Sequence, residues 1–244
     1  MGYRAVCFDL DRTLCRSTQD PDALLERAFE RAEVDPFCTH EDLQSAVPAV
    51  TDAETDREFY AALFEAVADR RMGDGADEGG RSSGVDGDVH SSGVDAAALA
   101  DAYVAEYDPR AVEPVPGAIE ALEWAGERGG VGLITNGERS TQRPKLEALG
   151  IADHFDVRVF CDPANGIHPK PDPAPFTIAV EDLGVDPTAV LHVGDSLRAD
   201  VAGANAMGMD SAWIPPSGEP GDVGALPETP THVFSTPVDV RAVF

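Results

Sequence analysis

Apolar residues in this chain gather into short runs rather than long stripes. "YRAVCFDL" (3–10), "GVGLITN" (130–136), "DVRVFCD" (156–162), "AVLHVGD" (189–195) and "SAWIP" (211–215) are near-continuous apolar segments of strand length. Runs without polar alternation are expected where both faces of a sheet are covered. Between the later runs, helical patterns lie at 117–128, 139–149, 173–183 and 198–207. Strand and helix alternate, which predicts an α/β core with a doubly wound parallel sheet.

The first run breaks this rhythm, because about 120 residues separate it from the second. Helical patterns fill that interval at 20–34, 40–49, 53–71 and 96–107, while 73–93 is a Gly/Ser/Asp segment too polar to bury. The pattern predicts a catalytic-type core from 1–15 and 111–244, with a helical insertion at 16–110 that carries a mobile loop at 73–95. "EPVPGAIEAL" (113–122) ends the insertion with prolines and a glycine and starts a core helix. The Pro/Gly-rich tail (215–234) is predicted as surface chain with an edge strand at 232–235.

Composition narrows the picture. With 244 residues and 43% apolar content, the chain can fill one well-buried domain and a smaller one. No leader and no membrane-length run is visible, so the expected location is cytoplasmic, with no membrane partner. Cys7, Cys15, Cys38 and Cys161 are widely spaced and read as reduced, buried thiols. A formal charge of −27 argues against nucleic acid as a partner. Only Lys145 and Lys170 are lysines. Acid excess with scarce lysine predicts a halophilic protein, since molar salt screens self-repulsion to within about 3 Å.

Polar residues cluster where the predicted strands end, the place where such sheets bind ligands. Asp9, Asp11 and Thr13 follow the first strand, Thr135 and Asn136 the second, Lys170 the third, and Asp195, Ser196 and Asp200 the fourth. Singly each has an ordinary reading: Thr135-Asn136-Gly137 as a turn, Asp195-Ser196 as a helix cap, Lys170 as a loop residue. Together, carboxylates without a histidine cluster suit a hard cation such as Mg2+, and a lysine beside them suits a phosphate. Asp9 then serves as nucleophile through an aspartyl-phosphate, and Asp11 as the acid that protonates the leaving oxygen. Thr135 and Lys170 hold phosphoryl oxygens during transfer.

"DLDRT" (9–13), "LITN" (133–136), "KPDP" (170–173) and "GDSLRAD" (194–200) resemble, in order and spacing, the four motifs of the haloacid dehalogenase-like hydrolase superfamily. The resemblance covers 1–15 and about 111–214, and 16–110 is similar to that family's helical cap. It implies a Rossmann-like core and a phosphatase acting on a small-molecule phosphate ester: phosphoglycolate, a sugar phosphate or a nucleotide. It also implies Asp9 as nucleophile and Mg2+ ligand, Asp11 as acid/base and, through its backbone carbonyl, ligand, and Thr135 with Asn136 as phosphate site. Lys170 matches the charge-neutralising lysine, Asp195 the second acidic ligand, and Asp200 the acid that holds a metal-bound water. Arg12 departs from the glycine or aspartate common at its place, and Asn165 from a glutamate frequent in relatives.

Asp11 is the residue that separates the alternatives. Haloacid dehalogenases of this superfamily work without it and without Mg2+, because a halide leaves unprotonated. A calcium loop needs glycine where Leu14 stands. A phospho-aspartate signalling module carries its acceptor on a middle strand and has no large insertion. Gly130-x-Gly132 has no third glycine and does not follow the strand, so a dinucleotide fingerprint is not supported. His168 and His192 read as structural, and Arg12 and Arg16 as the arginines placed to meet an anionic substrate.

Overall fold

A computed structural model describes residues 2–50, 53, 55–74, 95–216 and 227–244. The chain forms two compact units, Met1–Thr18 with Pro109–Phe244, and Gln19–Asp108. The first unit contains β1 (Ala5–Phe8) and β2 (Cys15–Ser17), which precede the second unit in the chain. The second unit holds α1 (Pro21–Ala32), α2 (His40–Ala46), α3 (Asp56–Asp74) and α4 (Ala96–Glu106). The first unit resumes with β3 (Val112–Pro114), α5 (Ala118–Gly126), β4 (Gly130–Thr135), α6 (Arg139–Leu149) and β5 (Val157–Phe160). It closes with α7 (Pro173–Leu183), β6 (Val190–Gly194), α8 (Ala202–Ala206), β7 (Asp210–Trp213) and β8 (His232–Val233).

Six strands form one parallel sheet in the order β5-β4-β1-β6-β7-β8. β1 lies between β4 and β6, with Phe8 opposite Leu133 on one side and Val193 on the other. Alternation along β1 sends Val6 and Phe8 into a core with Ala118, Leu122 and Leu146, and sends Ala5 and Cys7 into a core with Phe176, Ala179 and Ala204. Burial on both faces explains why the strands are apolar without a break. The chain leaves β1 for β4 and β5 on one side, then crosses back through α7 to β6 on the other. The strand order therefore reverses at β1, which opens a crevice at the carboxyl ends of β1 and its neighbours.

The helical unit has its own core, built on Leu25, Phe29, Leu63, Phe64, Leu99 and Tyr103. Its helices start at well-formed caps. The Asp20 carboxylate accepts from the N–H groups of Asp22 and Ala23, and Thr39 and Asp42 form a capping box. The mobile loop expected at 73–95 falls almost wholly outside the described residues. Among the described residues no helix is long and apolar enough to cross a membrane.

The antiparallel ladder β2-β3 is not visible in the sequence pattern. It pairs Arg16 with Glu113 and Ser17 with Val112, and Arg16 Nε donates to Glu113 Oε1 at 2.7 Å. Strands of three residues are too short to leave a periodic signature.

Candidate active site

β1, β4 and β6 end side by side and deliver the motif residues. The Asp9 N–H donates to the Val193 carbonyl at 2.9 Å, which extends the ladder by one residue and brings Asp9 toward the end of β6. Beyond it the chain turns sharply: the Leu10 carbonyl accepts from the N–H groups of Thr13, Leu14 and Cys15. Arg12 takes a φ of 66° in this turn, a left-handed conformation that is costly for a side chain with a Cβ. Its Nε stands 3.3 Å from Asp195 Oδ2. Arg12 thus faces the acidic end of β6 while its side chain stays 60% exposed. Thr13 is fully buried, and its hydroxyl has no hydrogen-bond partner among the described residues.

Lys170, from the loop between β5 and α7, is 5% exposed and spends its ammonium on three acceptors at 2.7 Å: Asp9 Oδ1, Asp200 Oδ1 and the Ile134 carbonyl. Asn136 positions it. The Asn136 amide nitrogen donates to the Lys170 carbonyl at 3.1 Å, and the Lys170 N–H donates to the amide oxygen at 2.7 Å. The Asn136 amide is therefore engaged at both ends by the lysine main chain. Thr135, the last residue of β4, is buried beside this loop.

Asp200 lies on a π-helical turn (Leu197–Val201) that leads into α8, a local widening often found at functional sites. Ser196 caps this turn by accepting from the Ala199 N–H. Asp200 Oδ2 accepts from the Ser196 N–H at 3.0 Å, and Oδ1 meets His192 Nε2 at 2.9 Å as well as Lys170. A carboxylate only accepts, so Nε2 carries the imidazole proton. Gly194 is required here, since a Cβ on it would come within 2.2 Å of Asp200 Cγ.

The charges divide unequally. Burial pushes the Asp9 carboxyl above its usual range; Lys170 opposes this, and Asp200 and Asp195 reinforce it. Asp195 is pushed up to about 6, first by burial and then by Asp200. Burial also works against Asp200, but Lys170 and His192 outweigh it and hold its pKa well below the carboxylate range. Lys170 stays protonated because Asp200 and Asp9 outweigh its own desolvation. Burial keeps His192 neutral.

One oxygen from each of Asp9, Asp195 and Asp200 lies within 4.8 Å of the others, a set of hard donors of the size and chemistry that Mg2+ takes. The residues present fit such an ion. The Asp11 carboxylate is not in this group. It turns to α6 instead, where Lys145 Nζ reaches Oδ1 at 2.7 Å and Oδ2 at 2.8 Å, and Gln142 Nε2 donates to Oδ2 at 2.9 Å. The motif reading passes over Lys145 and Gln142. The one available signal was that Lys145 is, with Lys170, one of only two lysines in a chain whose other basic residues of the Lys/Arg kind are arginines.

A doubly wound sheet whose central strand ends in a buried aspartate, gripped by a lysine and faced by two further acids, sets an acid cluster at the crevice where such sheets bind ligands. Comparison with known proteins agrees. The family pattern of the haloacid dehalogenase-like hydrolases matches residues 3–208, and the chain belongs to this family. It is 32% identical over 227 residues to the ribulose-1,5-bisphosphate 5-phosphatase of Halopiger xanaduensis, covering 88% of this chain and 86% of that one. It is 30% identical over 215 residues to the phosphoglycolate phosphatase of Escherichia coli, covering 86% of this chain and 81% of the relative. Among solved structures, the HAD-hydrolase YfnB of Bacillus subtilis, bound to magnesium, superposes with a TM-score of 0.69 at 20% identity, over 100% of this chain and 99% of that one. The protein is an enzyme, a hydrolase whose relatives are named as phosphatases.

Proposed function

We propose that the protein is a Mg2+-dependent phosphomonoester hydrolase that works through a phosphorylated Asp9. The observation that carries this reading is the Asp9–Lys170–Asp200 contact, with Asp195 within reach of both acids. Lys170 occupies Asp9 Oδ1, and Oδ2 takes no hydrogen bond among the described residues, which leaves it as the attacking atom. Asp9 Oδ2 bonds to phosphorus as the ester oxygen leaves, and Asp11 supplies the proton that oxygen needs. In the second half Asp11 takes a proton from water as the water oxygen bonds to phosphorus and Asp9 is released. Thr135 and Asn136, at the end of β4, are assigned to the phosphate, and the Lys170 ammonium balances its charge. Asp9, Asp195 and the Asp11 carbonyl would hold Mg2+, with Asp200 and Thr13 supporting. When bound, the ion supplies positive charge against the phosphoryl oxygens.

The substrate is a small phosphorylated metabolite. Ribulose-1,5-bisphosphate and phosphoglycolate head the panel to be tried, since the relatives named for them match along most of the chain. Residues 16–110 are assigned the part of a cap that selects the substrate. The test is inorganic phosphate release from a panel of esters by the purified chain, in molar salt with Mg2+. Turnover of at least one ester, lost with chelator and in Asp9→Asn, supports the reading. No turnover of any ester overturns it.

A further inference from the structure

The Asp11 carboxylate is held in a way its own solvation does not require. Its side chain is 42% exposed, so water could satisfy both oxygens, yet two buried side chains are spent on it. Lys145 and Gln142 are each 4% exposed and lie three residues apart on one face of α6. Gln142 reaches Asp11 only because residue 137 is glycine: a Cβ there would fall 1.8 Å from Gln142 Nε2. A lysine taken this far from water needs a counter-charge, and arginine, the usual cation of this chain, is absent from the position.

The bonds are distributed asymmetrically. A carboxylate offers about two acceptor positions on each oxygen. Oδ2 accepts from both Lys145 and Gln142, whereas Oδ1 accepts from Lys145 alone. Among the described residues Asp11 has no other side-chain partner, so only Oδ1 keeps an acceptor position open.

We propose that Lys145 and Gln142 are positioning residues for proton transfer, which fix the Asp11 carboxyl group so that Oδ1 is the atom that carries the proton. This rests on the reading of Asp11 as the general acid and base. In the first half of the reaction the proton passes from Oδ1 to the leaving oxygen as the P–O ester bond breaks and the Asp9–phosphorus bond forms. In the second half Oδ1 takes a proton from the attacking water, the water oxygen bonds to phosphorus and the Asp9–phosphorus bond breaks. The carboxyl group returns to its starting state. With either α6 contact removed, the remaining one holds the carboxyl less tightly, and Oδ1 is less often aligned with the leaving oxygen.

Proton donation matters most for a leaving group that is a poor anion, so the test compares two esters of similar shape, p-nitrophenyl phosphate and benzyl phosphate. Wild type, Lys145→Met, Gln142→Leu, Asp11→Asn and the double variants with Asp11→Asn are measured in molar salt with Mg2+. In Lys145→Met and Gln142→Leu the loss of kcat on benzyl phosphate should exceed that on p-nitrophenyl phosphate by roughly thirtyfold. In the Asp11→Asn background either change should cost less than about twofold more, since the group it positions is gone. Equal losses on the two esters, or losses that multiply with Asp11→Asn, overturn the proposal and leave Lys145 as a structural ion pair. If Lys145→Met does not fold, Gln142→Leu, which removes one hydrogen bond and no charge, decides the question. A wild type inactive on every ester defeats the hydrolase reading itself. An Asp11→Asn enzyme without leaving-group dependence defeats the acid role of Asp11, and each result is distinct from failure at α6.

Discussion

Lys170 Nζ stands 2.7 Å from Asp9 Oδ1, across 161 residues of sequence, and the same ammonium reaches Asp200 at 2.7 Å. Both acids are buried, at 7% and 2% exposure, so this one cation is what makes their burial tolerable. Lys170→Met should cost about 3 kcal/mol of stability, because it leaves buried acids without a counter-charge. Asp9→Asn should cost less, since Lys170 keeps Asp200 and the Ile134 carbonyl. Urea unfolding of the three proteins without Mg2+ measures the order, and a larger loss in Asp9→Asn would contradict it.

Mg2+ should raise the thermal midpoint of the wild type, because an ion that binds only the folded cluster stabilises it by mass action. Asp195→Asn should remove most of that increment. The increment should also shrink as pH falls below about 6, where Asp195 takes up a proton and stops serving as a ligand. Without the ion the sign reverses. The raised Asp195 favours the folded state most below its unfolded value of 3.8, and that contribution is lost as pH rises through about 6. Scanning calorimetry with and without Mg2+ between these limits reads both effects.

The four cysteines are free and buried, and burial pushes the thiols of Cys7, Cys15 and Cys38 up to about 12 and that of Cys161 to about 11. A thiol-labelling reagent at pH 8 should leave the native protein unmodified and label every cysteine once urea unfolds it. Because the folded values exceed the unfolded 9.0, the thiols contribute stability below about pH 9 that is lost as pH rises through the folded values. Rapid labelling of the native protein would show that a site opens readily.

A net charge of −27 should make stability depend on salt. Lowering KCl from molar to about 0.05 M lengthens the screening distance from about 3 Å to more than 10 Å and should lower the unfolding midpoint. An unchanged midpoint would refute the expectation of a halophilic protein.

Much of the fold was legible along the chain. Five of the six strands of the parallel sheet fall on apolar runs, β7 starting one residue ahead of its run, and β8 falls on the expected edge strand; α1 to α4 coincide with periodic segments. These are local signals, carried by neighbours in sequence. The ladder of Arg16 with Glu113 was not legible, because each strand is three residues long and the partners are far apart. Asn136 read as part of a turn or a phosphate site, and the bond of its side-chain amide to the Lys170 main chain was not legible. Lys145 and Gln142 look in sequence like any two positions on one face of an amphipathic helix.

The sequence by itself determined which acids end which strands, and that Lys170, one of two lysines, stands in the loop after the third. Only the tertiary structure decided which groups meet: Lys170 with both Asp9 and Asp200, Arg12 with Asp195, and the Asp11 carboxylate with α6 rather than with the other acids. The reason is physical. Hydrophobic runs and caps act over a few residues, whereas these pairings depend on strand order, with β1 inserted between β4 and β6 so that loops remote in sequence open on one crevice.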